Sequence, residues 1–389
     1  MPAKGVTKID PNFHTSIKRI TDKSIDGYAG PGIENEYSRT DPENCDGAVI
    51  ILRENAGEWH LYNALTRARI KQVSITGGGE EPEPRWDAVD PNIFYYLYGT
   101  ELRSYNITND ASTLIHNFNY PSATFISTKT EGDASLDRRY WCFIIEDAAY
   151  NVLKVICYDK TTDTILGTYE RASLPTGIGI NWVSMSMSGS HCIIGYQDDG
   201  AGDTPPTETF TRSLTHVATL PAGTFGHMDL AIDKSGNDVM VYQKTSDSDQ
   251  IAMADLATGA ETYLVEIPFG INGDIGLHFS GNCSQTPGWV LVSTYGSENP
   301  PTGETHSWMD EQLFMVELKS SPRIWRLTHT QAYTSLNYIA DKNYFAECFA
   351  AINTSGTKIY FGSNWRNYTT DFSESYQIDL PGSWNTLIP

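Results

Sequence analysis

The 389-residue sequence contains no long hydrophobic run. No apolar stretch approaches the roughly 20 residues that a membrane-spanning helix needs, so we expect no membrane insertion. The N-terminal residues MPAKGVTKIDPNF also lack the apolar segment of a signal peptide. These two absences predict a cytoplasmic protein, or one associated with a virion or another assembly.

Closely spaced cysteines are absent as well. The chain has six cysteines, and none of them forms a CxxC or similar spacing. Most lie in or beside apolar runs such as YWCFII, VICYD and HCIIGY. An isolated cysteine in an apolar run usually behaves as a small buried side chain. Buried free thiols are therefore expected, rather than disulfides or a zinc site.

Basic residues are scarce, since 27 Lys and Arg oppose 48 Asp and Glu and the net charge is −21. Such a surface repels nucleic acid and anionic membranes, so we expect no nucleic-acid partner. Common enzyme motifs are missing too, because the sequence has no GxSxG elbow and no HExxH helix. GGGEEPEP (77–84) leads into a strand rather than a helix, which excludes a phosphate loop.

What the sequence does contain is a repeated strand–turn–strand unit. Seven stretches show it, among them NWVSMSMSGSHCIIGYQ (181–197), GHMDLAIDKSGNDVMVYQ (226–243) and AECFAAINTSGTKIYFGSN (346–364). The turns are spaced about 45 to 52 residues apart, except for a longer last interval. They fall near Gly47, Asn92, Arg138, Gly189, Gly236, Gly288 and Gly356.

Weaker strands follow each unit, so the chain reads as seven repeats of four antiparallel strands. This pattern predicts an all-β fold, a seven-bladed β-propeller closed into a ring. We expect residues 1–389 to form a single propeller domain. The N-terminal segment 14–22 contains TSIKRITD, which is similar to the outer-strand segment RIWRLTHT and is expected to complete the last blade. The Pro-containing stretches 200–213 and 296–312 are expected to be exposed insertions outside the blade core.

The turns SMSGSHCIIG, DKSGNDVMVY and NTSGTKIYFGSN resemble the hairpins of TolB-like (PD40) propellers. Within that superfamily, ECFAAINTSGTKIYFGSNW and the isolated histidines that open earlier blades are similar to the oligogalacturonate lyase group of polysaccharide lyases. That resemblance implies β-elimination on an acidic oligosaccharide and a manganese ion held by histidines and a glutamine. Cys348 and Phe349 stand where a histidine-rich ligand pair would be expected, which is a departure from the pattern.

Polar residues open several of the inner strands. Counting nine and seven residues back from the turns finds His227 and Asp229, Glu83 and Arg85, Lys129 and Glu131, Glu347 and Phe349, Ile180 and Trp182, and Ser38 and Thr40. His278 lies ten residues before its own turn. A period of two places each pair on one side of its strand, and the inner strands of a propeller begin at one face. The sequence therefore predicts a ligand site at that face.

β-Elimination beside a uronate needs a base for the C5 proton and a cation to neutralise the carboxylate. His227 is the candidate base, and Arg85 is the candidate partner of the carboxylate. The candidate substrate-binding residues are Trp182, Glu131 and Asp229. The candidate ligands of a divalent metal, Mn or Ca, are His278, Glu347 and His329.

The same residues also permit other functions. Charged groups in a narrow, wet channel often bind only water or backbone, and Trp182 equally suits a structural position between blades. The main alternative to a lyase is a non-catalytic binding or assembly propeller, at a cell surface or in a virion. The partner would be an oligosaccharide or a protein. A glycoside hydrolase using Glu131 and Glu347 is a third option.

Overall fold

A computed structural model describes residues 1–174, 176–198, 200, 204–221, 227–244, 249–268, 275–295, 307–332, 344–367 and 372–387. These residues form seven antiparallel sheets, six with four strands and one with five. The sheets are the blades of a ring, and the prediction of an all-β, seven-bladed propeller is confirmed. Within the described ranges, no helix is long and apolar enough to cross a membrane.

The blades are numbered in chain order, and their strands are given from the channel outward. Blade one contains Ile33–Glu34, Val49–Glu54, Trp59–Asn63 and Arg69–Val73, and blade two contains Arg85–Trp86, Ile93–Tyr98, Glu101–Asn106 and Ala111–Asn117. Blade three contains Phe125–Ser127, Tyr140–Glu146, Val152–Asp159 and Thr164–Glu170, and blade four contains Ile178–Met185, Cys192–Asp198, Glu208–Phe210 and His216–Thr219.

The remaining three blades follow the same order. Blade five contains Met228–Ile232, Asp238–Lys244, Gln250–Asp255 and Glu261–Glu266, and blade six contains Gly276–Ser280, Trp289–Tyr295, Gln312–Glu317 and Ile324–His329. Blade seven contains Ala351–Ile352, Lys358–Ser363, Glu374–Asp379, Ser16–Arg19 and Thr7–Ile9. Short helical turns lie at Lys23–Asp26, Arg171–Ser173, Tyr344–Ala346 and Trp384–Leu387.

Burial decreases from the inner strands to the outer ones. The second strand of blade three, Tyr140–Glu146, is buried at every residue. The outer strand of blade two, Ala111–Asn117, is exposed over most of its length. A strand covered on both faces by neighbouring blades needs a continuous apolar run, which is why YWCFII shows no alternation.

The core lies between the blades. Apolar side chains of the described residues form seven buried clusters, each at the seam between two neighbouring blades. The seam between blades seven and one contains Ile20, Ile33, Ile50 and Tyr360. Ser16–Arg19 pairs with Glu374–Asp379, so the N-terminal segment supplies the fourth strand of blade seven. The apolar seams therefore continue around the ring.

The turn of blade five shows how the inner strands are aimed. The side chain of Asp233 accepts hydrogen bonds from the backbone of Ser235 and Asn237, both at 2.8 Å. Gly236 has a φ of 88°, a left-handed conformation that strains any residue with a side chain. This turn fixes the antiparallel pairing of Met228 with Tyr242 and so places His227 at the beginning of the inner strand.

The expectation of free thiols is wrong for two of the six cysteines. Cys142 and Cys192 form a disulfide, with Cα atoms 6.3 Å apart. They lie on the second strands of blades three and four, 50 residues apart in the sequence. Both are buried in the seam between these two blades, where the two side chains meet. The other four are free, with Cys45 exposed and Cys157, Cys283 and Cys348 buried.

The two expected insertions belong partly to the blades. Glu208–Phe210 is the third strand of blade four, where it pairs with Cys192–Asp198. Residues 307–311 lie beside the third strand of blade six, and most of them are buried. The expectation that 200–213 and 296–312 lie outside the blades is therefore wrong at these positions. The parts at 201–203 and 296–306 fall outside the described residues.

Candidate functional site

Two histidines that open neighbouring inner strands meet at the mouth of the channel. The Nδ1 atoms of His227 and His278 are 3.3 Å apart. His227 Nε2 is 3.2 Å from the hydroxyl of Tyr295, and His278 Nε2 is 3.3 Å from Oε2 of Glu347. These four residues, His227, His278, Tyr295 and Glu347, are called the histidine cluster below. His227 directly precedes the inner strand of blade five, and His278 lies within that of blade six. Tyr295 ends the second strand of blade six, and Glu347 follows the helical turn Tyr344–Ala346.

Aromatic rings enclose His278. Its imidazole stacks on Tyr295 with centroids 4.8 Å apart, and Phe349 and Tyr37 pack against it at 4.7 and 5.3 Å. Only 2% of the residue is exposed. His227 is half-buried and is the more accessible of the two imidazoles. A ligand at the channel mouth would therefore reach His227 before His278.

The hydrogen bonds of the histidine cluster have one consistent direction. A carboxylate only accepts, so Nε2 of His278 donates to Glu347 and its Nδ1 accepts from Nδ1–H of His227. Nε2 of His227 then accepts from the hydroxyl of Tyr295. Both tautomers are assigned from this hydrogen-bond pattern. The arrangement can pass a proton from the channel mouth towards Glu347.

Both imidazoles are held in the neutral form. Burial, together with the neighbouring His278 and Arg39, lowers the pKa of His227 to about 3. Burial and Arg39 likewise lower the pKa of His278 to about 3. Two imidazolium ions in contact would repel each other, so the neutral state agrees with the one-directional hydrogen bonds.

We expect His278→Gln to make the protein less sensitive to acid. Wild-type His278 has a pKa of about 3 when folded and an ordinary value near 6.5 when unfolded. Between these values the unfolded chain binds the extra proton, so stability is lost as pH falls, by up to about 1.4 kcal/mol per pH unit for each such group. The free energy of unfolding of wild type and of His278→Gln should be measured in urea at pH 7 and at pH 4.5. Relative to wild type, the variant should be more stable at pH 4.5 than at pH 7. His14→Gln, at an exposed histidine, is the control. If the difference in unfolding free energy between wild type and His278→Gln were the same at both pH values, the low folded pKa of His278 would be contradicted.

Arg85 lies in the channel wall and is fully engaged. Its Nη1 donates to Glu36 at 2.6 Å, and its Nη2 donates to the carbonyl of Gly132 at 3.0 Å. Asp133 lies 3.7 Å from its Nε, and only 2% of the arginine is exposed. Its predicted role was to bind a substrate carboxylate. In the structure a protein carboxylate occupies that position.

Deeper in the channel, Glu131 and Asp229 line one cavity of about 30 Å³ together with Arg39. Arg39 donates to Oε2 of Glu131 at 3.1 Å. Asp229 accepts from the backbone of Leu230 at 2.8 Å and of Gly281 at 2.7 Å. Burial raises the pKa of Asp229 to about 7. Two of the predicted substrate-binding residues are thus brought together, but below the mouth, where Asp229 joins blades five and six.

The other two predicted site residues lie apart from this channel. Trp182 is 2% exposed and belongs to the apolar seam between blades four and five, with Arg39 5.8 Å above its ring. This burial favours its structural role over sugar stacking. His329 ends the outer strand of blade six, where its Nδ1 is 3.0 Å from Asp10 and its ring packs on Phe13. It does not join His278 and Glu347 in the structure.

The residues present do not fit the manganese site that the resemblance implies. Both ring nitrogens of His278 are already in hydrogen bonds, and Phe349 packs against the ring. Among the described residues, no group of three or more His, Cys, Asp or Glu side chains is placed to hold a metal ion. We therefore assign no chemical step to a metal at the histidine cluster.

Sequence reasoning missed three residues around the site: Tyr295, Tyr37 and Arg39. Tyr295 ends an apolar second strand, and counting back from the turns finds only residues near the starts of inner strands. In blade one the count selected Ser38 and Thr40, but the regular inner strand ends at Glu34 and the chain continues without a ladder. The alternation of Glu34 and Glu36 in IENEYSR was the available signal for side chains facing the channel in blade one.

A much larger cavity, of about 470 Å³, opens at the other end of the channel, where the inner strands end. Its wall includes Asp41, Asp87, Arg138 and Lys358, and none of the predicted site residues lies in it. We place the functional site at the histidine cluster rather than here, because Lys358 already pairs with Glu43 and Asp41 already accepts from Thr354.

The fold and the cluster define a seven-bladed β-propeller with a polar site at the mouth of its channel. Solved structures with this fold include an oligogalacturonate lyase in complex with manganese, at a TM-score of 0.67 and 14% identity over 98% of each chain. An oligogalacturonate lyase from Vibrio parahaemolyticus gives a TM-score of 0.64 and 12% identity, over 98% of this chain and all of that one. No protein-family profile and no curated protein matches the sequence. The similarity noted from the sequence is thus supported for the fold, and the TolB-like resemblance stays a prediction.

Proposed function

We propose that this protein is a lyase-like enzyme that binds an acidic oligosaccharide at the channel mouth and cleaves it by β-elimination. The observation that carries the proposal is the contact between half-buried His227 and the hydroxyl of Tyr295, at 3.2 Å. β-Elimination needs a base at one carbon and an acid at the leaving oxygen. A neutral imidazole beside a hydroxyl supplies both groups within one site.

In this proposal, His227 removes the C5 proton of the uronate. The C4–O bond then breaks, a C4=C5 double bond forms, and the hydroxyl of Tyr295 gives its proton to the leaving oxygen. Glu347 lies on the far side of His278 and favours the positive charge that develops on His227. The proton that His227 has taken returns to Tyr295, which restores both residues for the next cycle.

The low basicity of His227 favours a second function, a non-catalytic binding or assembly propeller. A folded pKa of about 3 makes His227 a weak base, since efficient bases have values near the working pH. Arg85, the arginine predicted to receive the uronate carboxylate, is engaged with Glu36. Substrate binding would have to supply the missing positive charge. A propeller that only binds its ligand has no such requirement.

We expect His227→Gln to lower the rate of unsaturated-product formation from oligogalacturonates by at least about 100-fold. The product is followed by the ultraviolet absorbance of the new double bond conjugated with the carboxylate. Tyr295→Phe should cause a comparable loss, because it removes the hydroxyl and keeps the ring that stacks on His278. The matched control is His329→Gln, since His329 lies on an outer strand beside Asp10.

Two results would decide between the functions. Wild-type protein that binds the oligosaccharide without forming an unsaturated product would support the binding propeller. Equal loss of activity in His227→Gln and His329→Gln would show that the histidine cluster is not the catalytic site. Circular dichroism and melting of each variant separate a loss of chemistry from a loss of folding.

A further inference from the structure

A small cavity beside the histidine cluster is lined by oxygen atoms that lack donors. It lies between blades one and seven, measures about 10 Å³, and includes Phe349 in its wall. Both carboxylate oxygens of Glu34, Oε1 of Glu36 and Oδ1 of Asn35 are buried. None of these four atoms accepts a hydrogen bond from the described part of the chain. All four are acceptors, so the cavity favours a positively charged or donating occupant.

Glu34 is the most constrained of these residues. It is 3% exposed, and its carboxylate lies against Gly362 of blade seven. A side chain at position 362 would overlap Oε2 of Glu34, so the glycine leaves the space that the carboxylate occupies. A buried carboxylate without a donor is strongly unfavourable unless a proton or a cation neutralises it.

The charged residues around the cavity neutralise it only in part. Arg53 is the basic residue in the wall, and its charge attracts Glu34 and Glu36. Its Nη2 donates to Glu81 at 2.6 Å, however, and its buried Nε donates to neither glutamate. The other oxygen of Glu36 is paired with Arg85. Glu347 lies on the same side and adds negative charge. In agreement with this excess, burial raises the pKa of Glu34 well above its ordinary value and that of Glu36 to about 7.

We propose that this cavity binds one hard divalent cation of the calcium class, with Glu34, Glu36 and Asn35 as oxygen ligands. Calcium takes carboxylate and amide oxygens and completes its coordination with water. A volume of about 10 Å³ admits a single ion or a single water molecule and excludes anything larger. The bound ion would connect blade one to blade seven, at the seam where the ring closes. The proposal does not depend on the lyase activity.

The experiment uses full-length protein freed of metal with a chelator and titrated with CaCl2. A cation that binds only the folded state raises Tm, and we expect a rise of roughly 3–5 °C at a hundredfold excess over Kd. Glu34→Gln retains the shape and removes the charge, so its calcium response should be lost. Glu58→Gln removes an exposed carboxylate from the same blade and should respond as wild type does.

Three results would overturn the proposal. The first is a wild-type Tm that does not respond to calcium, together with a Glu34→Gln variant that is more stable than wild type above pH 7. This pair of results would show that a proton, rather than a cation, neutralises the carboxyl group of Glu34. The second is an equal calcium response in wild type and Glu34→Gln. The third is a calcium response that His278→Gln removes and Glu34→Gln does not. If Glu34→Gln fails to fold, calorimetric titration of Asn35→Ala should show a calcium affinity at least tenfold below that of wild type, and an unchanged affinity would be contrary evidence.

Discussion

Deleting residues 1–22 is expected to abolish the cooperative unfolding transition of the protein or to move it to far lower denaturant. The deletion removes Ser16–Arg19, the strand that pairs with Glu374–Asp379. Ile17 and Ile20 are 2% and 0% exposed, and burying each contributes about 1.5–3 kcal/mol. Loss of the strand would also expose the seam between blades seven and one.

The same deletion leaves a buried charge uncompensated. Glu374 is fully buried and accepts from Arg19 at 2.8 Å and from Thr21 at 2.5 Å. Removing the partner of a buried ion costs about 3–5 kcal/mol. Together with the lost apolar burial, this is of the same order as the whole stability of a domain, about 5–15 kcal/mol.

The control is deletion of residues 1–9, which removes the exposed strand Thr7–Ile9 and keeps Ser16–Arg19. We expect this shorter deletion to have a much smaller effect in urea unfolding followed by circular dichroism. Melting of the longer deletion at the wild-type temperature would show that the fourth strand of blade seven does not close the ring.

Arg85→Met is expected to destabilise the protein by about 3–5 kcal/mol, because it leaves Glu36 buried without its cation. The carbonyl of Gly132 also loses the donor that lies 3.0 Å away. The folded-state pKa of Glu36 is already raised to about 7 by burial, and loss of Arg85 raises it further. A group with a raised folded pKa costs stability above its unfolded value, near 4.5, and wild type carries the same cost up to its own folded pKa of about 7. The defect relative to wild type should therefore grow as pH rises above about 7.

The double variant Arg85→Met, Glu36→Gln is the matched control for this effect. It removes both charges, so urea unfolding should recover much of the lost stability and most of the pH dependence. If the double variant were as unstable as Arg85→Met at every pH, the ion pair would not be the cause. If Arg85→Met alone had wild-type stability, the ion pair between Arg85 and Glu36 would not contribute to the stability of the fold.

Much of the fold could be predicted because its signals are local. Each hairpin places an apolar strand after a polar turn, and a turn such as DKSGN specifies its own hydrogen bonds within five residues. Repetition of that unit seven times then indicates a ring. The contribution of blade one was missed because its inner segment leaves strand geometry after Glu34, and a period-two count no longer applies there.

The candidate site was predictable only in part. His227, His278 and Glu347 could be found because each lies within an inner strand or a few residues before one. Tyr295 could not, since it ends the second strand and reaches His227 from blade six. Which cysteines pair was also missed, because Cys142 and Cys192 face each other only when blades three and four are adjacent.

The sequence by itself determined the number of blades, the antiparallel hairpins and the placing of polar residues at strand starts, because these follow from turn chemistry and from the period of two along a strand. Only the tertiary structure decided which of those residues meet. Arg85 reaches Glu36 across 49 residues, and Trp182 is covered by the neighbouring blade. Such contacts depend on how the closed ring brings distant strands together, and no local pattern in the chain encodes that geometry.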